Sequence, residues 1–178
     1  QLRSYVDKDF SNRDWNLASA MVIEGKAGFQ IMGDWAKGEF INAKKVEGKD
    51  FGCMMAGGPK MPYQIGGDVF VFPKNKNADN KAAQQKLAEM MISPAMQVAF
   101  NNKKGSIPIR TDVDLKGVDA CAKAGLAAVK ENRLLESVQE LLNPDAQGAF
   151  DDAVSKFWNS NQSVDDGVKA LAAALKLG

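Results

Sequence analysis

The stretch Gly25-Lys-Ala-Gly-Phe-Gln-Ile-Met-Gly-Asp-Trp35 indicates the fold class of this chain. Within it, Ala27 and Phe29 alternate with Gly28 and Gln30, and Ile31 and Met32 then lead into Gly33-Asp-Trp35. This pattern predicts a short strand that ends in a tight turn, with a large aromatic residue at the start of the next helix. In α/β proteins, ligand contacts lie at the carboxyl ends of strands. Trp35 is therefore either a flat ligand contact with one N–H donor or a core tryptophan in a strand–helix turn.

Length and charge limit the class of protein. The 178 residues suffice for one domain with a core, or for part of a larger one. With 23 basic and 22 acidic residues, the chain shows no bias toward nucleic acid or an anionic membrane. It contains no apolar run long enough to predict a transmembrane helix. Because Gln1-Leu-Arg-Ser-Tyr5 is typical of the middle of a helix, the protein is either cytosolic or exported with its signal removed along with more sequence.

The absence of histidine excludes several kinds of chemistry. The chain has no Ser-His or Cys-His nucleophile pair and no histidine metal ligand. Cys53 and Cys121 lie far apart and fit no metal or redox motif, so no metal or cofactor is expected. They are two buried free thiols or, if the chain is exported, a disulfide.

Hydrophobic periodicity and capping residues predict a mixed α/β chain whose helices are concentrated in the second half. The predicted helices are Asn12 to Glu24, Asp34 to Val46 with Asp34 as its cap, Ala78 to Ile92, Ser93-Pro94 to Asn101, Asp114 to Asn132, Asp145 to Trp158, and a last helix from Ser163. The predicted strands are Gly25 to Met32, Phe51 to Met55, and Asp68 to Pro73.

Two polar residues near these strands have alternative interpretations. Asp68 follows Gly66-Gly67 at the start of an apolar strand, where a carboxylate either accepts bonds from hydroxyl groups or caps a turn. Lys104 precedes Gly105 without a phosphate-binding loop motif, so the residues alone favour a solvated surface lysine.

A series of motifs in order along the chain resembles the carboxy-terminal half of periplasmic sugar-binding proteins of ABC importers, in particular the glucose/mannose-binding subgroup. These proteins belong to the extracellular solute-binding family that includes maltose-binding protein. The motifs are Arg13-Asp-Trp15, Gly25-Lys-Ala27, Met32-Gly-Asp-Trp-Ala-Lys-Gly-Glu39, Phe51-Gly-Cys53, Gly67-Asp-Val-Phe70, Ser93-Pro94, Phe100, Lys104-Gly-Ser-Ile-Pro108 with Arg110, and Asp119-Ala-Cys121.

The resemblance implies an α/β fold of the periplasmic-binding-protein type, with two lobes that close on a sugar like a Venus flytrap. Residues 1–178 would be the carboxy-terminal portion, helix-rich at its end, and residues from about 61 to 108 would associate with the other lobe through crossing segments. The implied partners are a sugar, the membrane permease subunits of an ABC importer and the missing amino-terminal lobe, but no nucleic acid. The implied location is the periplasm, with noncatalytic binding of a glucose-like aldohexose.

Carried over by position, the resemblance implies that Trp35 stacks on the sugar, Asp68 accepts bonds from its hydroxyl groups and Lys104 donates to them. A family histidine before the penultimate helix is missing here. Ser137-Val-Gln-Glu140 takes its place, with Glu140 or Gln139 as the substitute. Export implies an oxidising compartment and hence a disulfide between the two cysteines.

Two alternatives to sugar binding remain from the sequence. A carbohydrate-active hydrolase would use Asp34 and Asp68 as its pair of carboxyl groups across the scissile bond. An inactive fragment would result if the missing lobe were absent from the protein.

Overall fold

The computed structural model describes residues 2–58 and 60–177. Within these ranges the regular structure consists mainly of α-helices, joined by five short 3-10 turns. The helices are α1 (Trp15–Ile23), α2 (Lys37–Asn42), α3 (Ala78–Met91), α4 (Pro94–Lys104), α5 (Ala120–Lys130), α6 (Val138–Leu141), α7 (Pro144–Asn159) and α8 (Val164–Ala174). The strands are β1 (Tyr63–Ile65) and β2 (Leu134–Glu136), which pair in a two-stranded sheet.

The chain divides into two compact units. The terminal unit comprises Gln1–Lys8, Gln64–Gly66 and Leu135–Gly178, and the central unit comprises Asp9–Tyr63 and Gly67–Leu134. The chain passes between the units within β1 and β2. The assignment of residues 61–108 to a second lobe stays a prediction.

Side-chain caps fix where most helices begin. Six side chains accept a hydrogen bond from a backbone N–H group in the first turn, which would otherwise lack a partner. They are Asp14, Asn77, Ser93, Asp119, Asn143 and Ser163. The helix starts predicted at Ser93-Pro94 and at Ser163 are thereby confirmed.

Several predicted helices have different bounds. The helix predicted from Asp114 to Asn132 is a 3-10 turn, Leu115–Gly117, followed by α5. α1 begins at Trp15 rather than Asn12, because Asp14 accepts the hydrogen bond that starts it. The helix predicted from Asp34 to Val46 consists of a 3-10 turn, Asp34–Ala36, followed by α2. Gly33 occupies the cap position and no side-chain cap bond forms there, so the capping role predicted for Asp34 is wrong.

None of the three predicted strands forms in the described part of the chain. Phe51 makes a single bridge to Glu47, and residues 26–33 and 67–73 belong to no strand. A strand needs a hydrogen-bonded neighbour, and the alternating pattern records which face is apolar but not whether a neighbour is present. The apolar residues accordingly stay exposed, with Phe29 at 85% and Val69 at 83%.

Each unit has a small core of its own. In the central unit, Phe40 is buried and packs on Phe51 with ring centroids 4.7 Å apart, and Ala128 is fully buried. In the terminal unit, Ala146 of α7 and Ala174 of α8 are buried. No helix in the described part of the chain is both long enough and apolar enough to cross a bilayer.

Candidate functional site

The Gly33-Asp-Trp35 turn presents the indole that the resemblance assigns to sugar stacking. Trp35 lies in the 3-10 turn before α2 and is 44% exposed. Its ring folds back over Gly33, where an added Cβ atom would overlap the indole carbons. A side chain at position 33 would therefore displace the indole from this position, and Trp35 is partly open to solvent.

The carboxylate of Asp34 joins three segments of the central unit. Its Oδ2 atom accepts a hydrogen bond from the Tyr63 hydroxyl at 3.1 Å and another from the backbone N–H of Ile107 at 3.0 Å. Burial, and then the charge and hydrogen bond of Asp34, raise the pKa of the Tyr63 hydroxyl above its ordinary value. Tyr63 and Ile107 in turn lie against Gly125, where a Cβ atom would come within 3.2 Å of both side chains.

The end of α4 meets the start of α2 through two glycines. A Cβ atom on Gly38 would lie 2.9 Å from the carbonyl oxygen of Lys104, and one on Gly105 would lie 2.8 Å from the backbone nitrogen of Gly38. Gly105 also has a φ of 90°, which glycine adopts without strain. This close approach places the turn that carries Trp35 next to the helix end that carries Lys104.

Lys104 and Asp68 form an ion pair at this helix end. The side chain of Asp68 is 83% exposed and that of Lys104 is 32% exposed, so both charges remain open to solvent. The hydrogen bond from Lys104, and then its charge, lower the pKa of the Asp68 carboxyl group. Phe70 makes an edge contact with Phe100 at 6.2 Å. Residues 100 and 104 are one turn apart on α4 and therefore share one face of the helix. Asp68 and Phe70, which contact these two residues, accordingly lie along that face.

A buried amide fixes the segment that follows Lys104. Gln97 is only 6% exposed, and its Oε1 atom accepts from the backbone N–H of Ile109 at 3.0 Å. Its Nε2 atom donates to the carbonyl of Met91 at 2.7 Å. Asn101 donates to the carbonyl of Gln97 at 2.8 Å. This network stabilises residues 105–110 against α4, and the sequence did not lead us to expect it.

A buried ion pair anchors α2 to α5. Lys37 is 5% exposed and donates to both carboxylate oxygens of Asp119, each at 2.7 Å. Asp119 also accepts from the backbone N–H of Ala122, so it caps α5 while balancing a buried charge. The presence of both charged residues is therefore explained by a structural role, without ligand binding.

Cys53 and Cys121 form a disulfide in the central unit. Glu47 lies close to both sulfur atoms and accepts from the backbone N–H groups of Ala120 and Cys121 at 3.0 and 2.7 Å. Because the sulfur atoms are bonded to each other, they offer no thiolate to a metal ion. This group thus consists of a disulfide cross-link, Cys53–Cys121, beside the start of α5, where Glu47 accepts two backbone hydrogen bonds.

Glu140 lies in the terminal unit, in α6. Its Oε1 atom approaches Gly66 of the same unit, where a Cβ atom would be 3.1 Å away. The side chain of Gln139, the other substitute proposed for the missing histidine, lies outside the described residues. The structure thus brings Asp68 and Lys104 into contact and joins them to Trp35 through Asp34, whereas Glu140 belongs to a separate unit.

Several residues of this site were missed in the sequence. Gly38 gave a usable signal, because a glycine within a helix costs stability and so indicates a close approach. Asp34 gave a misleading signal, since an acid at the start of a helix usually caps it. Tyr63 and Gln97 gave no signal, because their partners lie far away in the chain or on the backbone.

Comparison with known proteins identifies the family to which this chain belongs. The family model for bacterial extracellular solute-binding proteins matches residues 1–129, and the chain belongs to this family. The predicted fold class, α/β of the periplasmic-binding-protein type, is confirmed, as is the resemblance to the carboxy-terminal part of sugar-binding members.

Individual relatives are similar over most of the chain. A probable sugar-binding periplasmic protein of Brucella suis biovar 1 is 48% identical over 182 aligned residues, which cover 99% of this chain and 43% of the relative. One from Rhizobium meliloti is 47% identical, with 99% and 44% covered. A xylose/arabinose-binding protein of Haloferax volcanii is 33% identical over 114 residues, or 62% of this chain and 24% of the relative. The chain spans less than half the length of these relatives.

Proposed function

We propose that this chain is the carboxy-terminal portion of a noncatalytic periplasmic protein that binds a glucose-like aldohexose and delivers it to an ABC importer. The observation that carries the proposal is the solvent-open Asp68–Lys104 pair, tied to the Trp35 turn through Asp34 and the Gly38–Gly105 contact. The names of the relatives support a sugar as the ligand class.

The three side chains offer the groups that a sugar ring needs. A hydroxyl group can donate to the Asp68 carboxylate and accept from the Lys104 ammonium group, and charge-assisted hydrogen bonds are the strong ones. The exposed face of Trp35 accommodates the C–H groups of the ring. Glu140 takes the place of the missing histidine and contributes a further acceptor when the lobes close.

The proposed partners follow from the same comparison. We infer that an amino-terminal lobe covers the outward apolar residues of the unpaired extended segments, and that permease subunits receive the sugar. Four such residues are between 78% and 85% exposed, namely Phe29, Ile31, Val69 and Val71. Apolar surface of this kind is typical of a face that another part of a protein covers. The proposed location is the periplasm, which the names of the Brucella suis and Rhizobium meliloti relatives support.

The hydrolase alternative is less well supported. A glycosidase needs one carboxyl group that stays protonated as a general acid, usually because its pKa is raised. The pKa of Asp68 is instead lowered by Lys104. Both hydrogen bonds to Asp34 come from groups of the fold itself.

Calorimetry with a panel of free sugars tests the proposal. The protein that contains this chain together with its amino-terminal lobe is titrated with D-glucose, D-mannose, D-galactose, D-xylose and L-arabinose, beside an assay with a chromogenic glucoside. We expect binding heat with an aldohexose and no product. Preference for a pentose would contradict the glucose-like assignment, and release of the chromophore would favour the hydrolase.

A further inference from the structure

We propose that Asp34 is the positioning residue of the sugar site, holding in register the three segments that carry the ligand contacts. This inference rests on the proposed function and assigns Asp34 a role that is neither helix capping nor catalysis. Asp34 acts through Trp35, Asp68 and Lys104 rather than by touching the sugar.

The first step is the position of its hydrogen-bond partners along the chain. Tyr63 begins β1, and Asp68 follows five residues later. Ile107 lies three residues after Lys104, and Trp35 is the next residue after Asp34 itself. One carboxylate oxygen therefore joins the turn that bears the indole to Tyr63 and to the segment that follows the lysine. Asp68 is held at the same helix end by its ion pair with Lys104.

The second step is the close packing of the segments that surround this oxygen atom. Tyr63 and Ile107 both lie against Gly125, where an added Cβ atom would be 3.2 Å from each side chain. Gly105 and Gly38 are in similarly close contact on the other side of the lysine segment. Because these segments are closely packed, a side chain cannot compensate for the loss of the Asp34 hydrogen bonds by changing its rotamer. We therefore expect the loss to shift the backbone of these segments.

The third step is electrostatic. Asp34 is half-buried, and its carboxylate has one hydroxyl and one backbone N–H group directed at the same atom. Bonds to an ionised acceptor are shorter and stronger than neutral ones. An asparagine has the same shape but only a single neutral oxygen, so Asp34→Asn weakens both bonds while leaving the volume unchanged.

Glu47 provides a matched control in the same unit. Like Asp34 it is half-buried and accepts two hydrogen bonds, but both come from the backbone at the start of α5. Its donors, Ala120 and Cys121, belong to no segment that carries a proposed sugar contact. Glu47→Gln therefore reports the general effect of weakening a buried carboxylate, without disturbing the site.

The experiment measures sugar affinity and thermal stability for the two variants in the complete protein, at a temperature where each is folded. The probe is D-glucose, or D-xylose if only pentoses bind to the wild type. We expect both variants to lower the melting temperature, whereas only Asp34→Asn raises the dissociation constant, by about tenfold or more, since small displacements of contact groups are costly.

The outcomes separate this inference from the proposed function. Absence of sugar binding by the wild type overturns the proposed function and this inference with it. Wild-type binding with an unchanged affinity in Asp34→Asn, or an equal loss in Glu47→Gln, overturns the inference alone. Should Asp34→Asn fail to fold, Tyr63→Phe decides. A rise in its dissociation constant of about threefold or more supports the inference, and a smaller change overturns it.

Discussion

Gly38 and Gly105 come so close together that a Cβ atom on Gly105 would lie 2.8 Å from the backbone nitrogen of Gly38. This distance is shorter than ordinary van der Waals contact, so a side chain on Gly105 would displace Gly38, and one on Gly38 would displace the carbonyl group of Lys104. The approach fixes the end of α4, and with it Lys104, against the start of α2.

We predict that Gly38→Ala and Gly105→Ala each lower the free energy of unfolding by roughly 1–3 kcal/mol, through overpacking at Gly38 and through both overpacking and positive φ at Gly105. Chemical denaturation measures the change. Gly148 of α7 has open space around its Cα atom, so Gly148→Ala serves as the control. It should be neutral or stabilise the protein by about 0.5–1 kcal/mol. Destabilisation of equal size at Gly148 would contradict the role of close contact.

We predict that Trp35→Ala weakens monosaccharide binding by roughly 1–3 kcal/mol in the complete protein, as expected for loss of an aromatic stacking platform. Gly33→Ala should weaken binding in the same direction, because its methyl group displaces the ring while the indole is retained. Calorimetry measures both effects, with Trp15→Phe as the control. An unchanged affinity in Trp35→Ala would make this residue a purely structural one.

The disulfide should be the native state of both cysteines. We predict no thiol that reacts with a colorimetric reagent until the protein is reduced, and a lower melting temperature after reduction. The loop-entropy estimate for a bridge that spans 68 residues is about 4 kcal/mol. A double variant with serine at positions 53 and 121 should melt at the same temperature with and without reductant. Two reactive thiols in the denatured, nonreduced protein would exclude the bridge.

Tyr63 should make the protein sensitive to alkaline pH. Its folded pKa is raised, so the folded state holds the phenol proton more tightly than the unfolded state. The resulting stability is fully present below the unfolded pKa of about 10 and is lost as the pH rises beyond it. The stability advantage of the wild type over Tyr63→Phe should therefore stay constant up to about pH 9 and shrink as the pH rises above about 10, the unfolded pKa. Urea unfolding at each pH measures it, and a constant advantage would contradict the shift.

The isolated chain should bind sugar poorly. It supplies Trp35, Asp68, Lys104 and Glu140, while the contacts and the desolvation that lobe closure provides are missing. We predict a dissociation constant for D-glucose weaker than about 1 mM, or roughly 4 kcal/mol of affinity. The complete protein should bind at least about a hundredfold more tightly, a difference of roughly 2.7 kcal/mol. Micromolar binding by the isolated chain would show that the other lobe is dispensable.

The sequence predicted the helices better than the strands, for a physical reason. A helix satisfies its hydrogen bonds locally, and residues such as Ser93 and Ser163 mark its start within a few positions. A strand such as residues 68–73 depends on a neighbour that the local pattern cannot reveal. The same reasoning applies to the site. Trp35 and Lys104 stand in recognisable motifs, but the role of Asp34 depends on Tyr63 and Ile107, which come close only in the folded chain.

The exposed run Val69-Phe-Val-Phe72 has a consequence for the behaviour of the chain at high concentration. An extended, apolar and unpaired backbone is a template for edge pairing with a second copy, which leads to aggregation. Asp68 and Pro73 flank this run, one with a charge and the other without an N–H donor, as gatekeeper residues do. The carboxylate proposed to hold a sugar hydroxyl group thus also stands where a charge opposes the edge pairing of two copies.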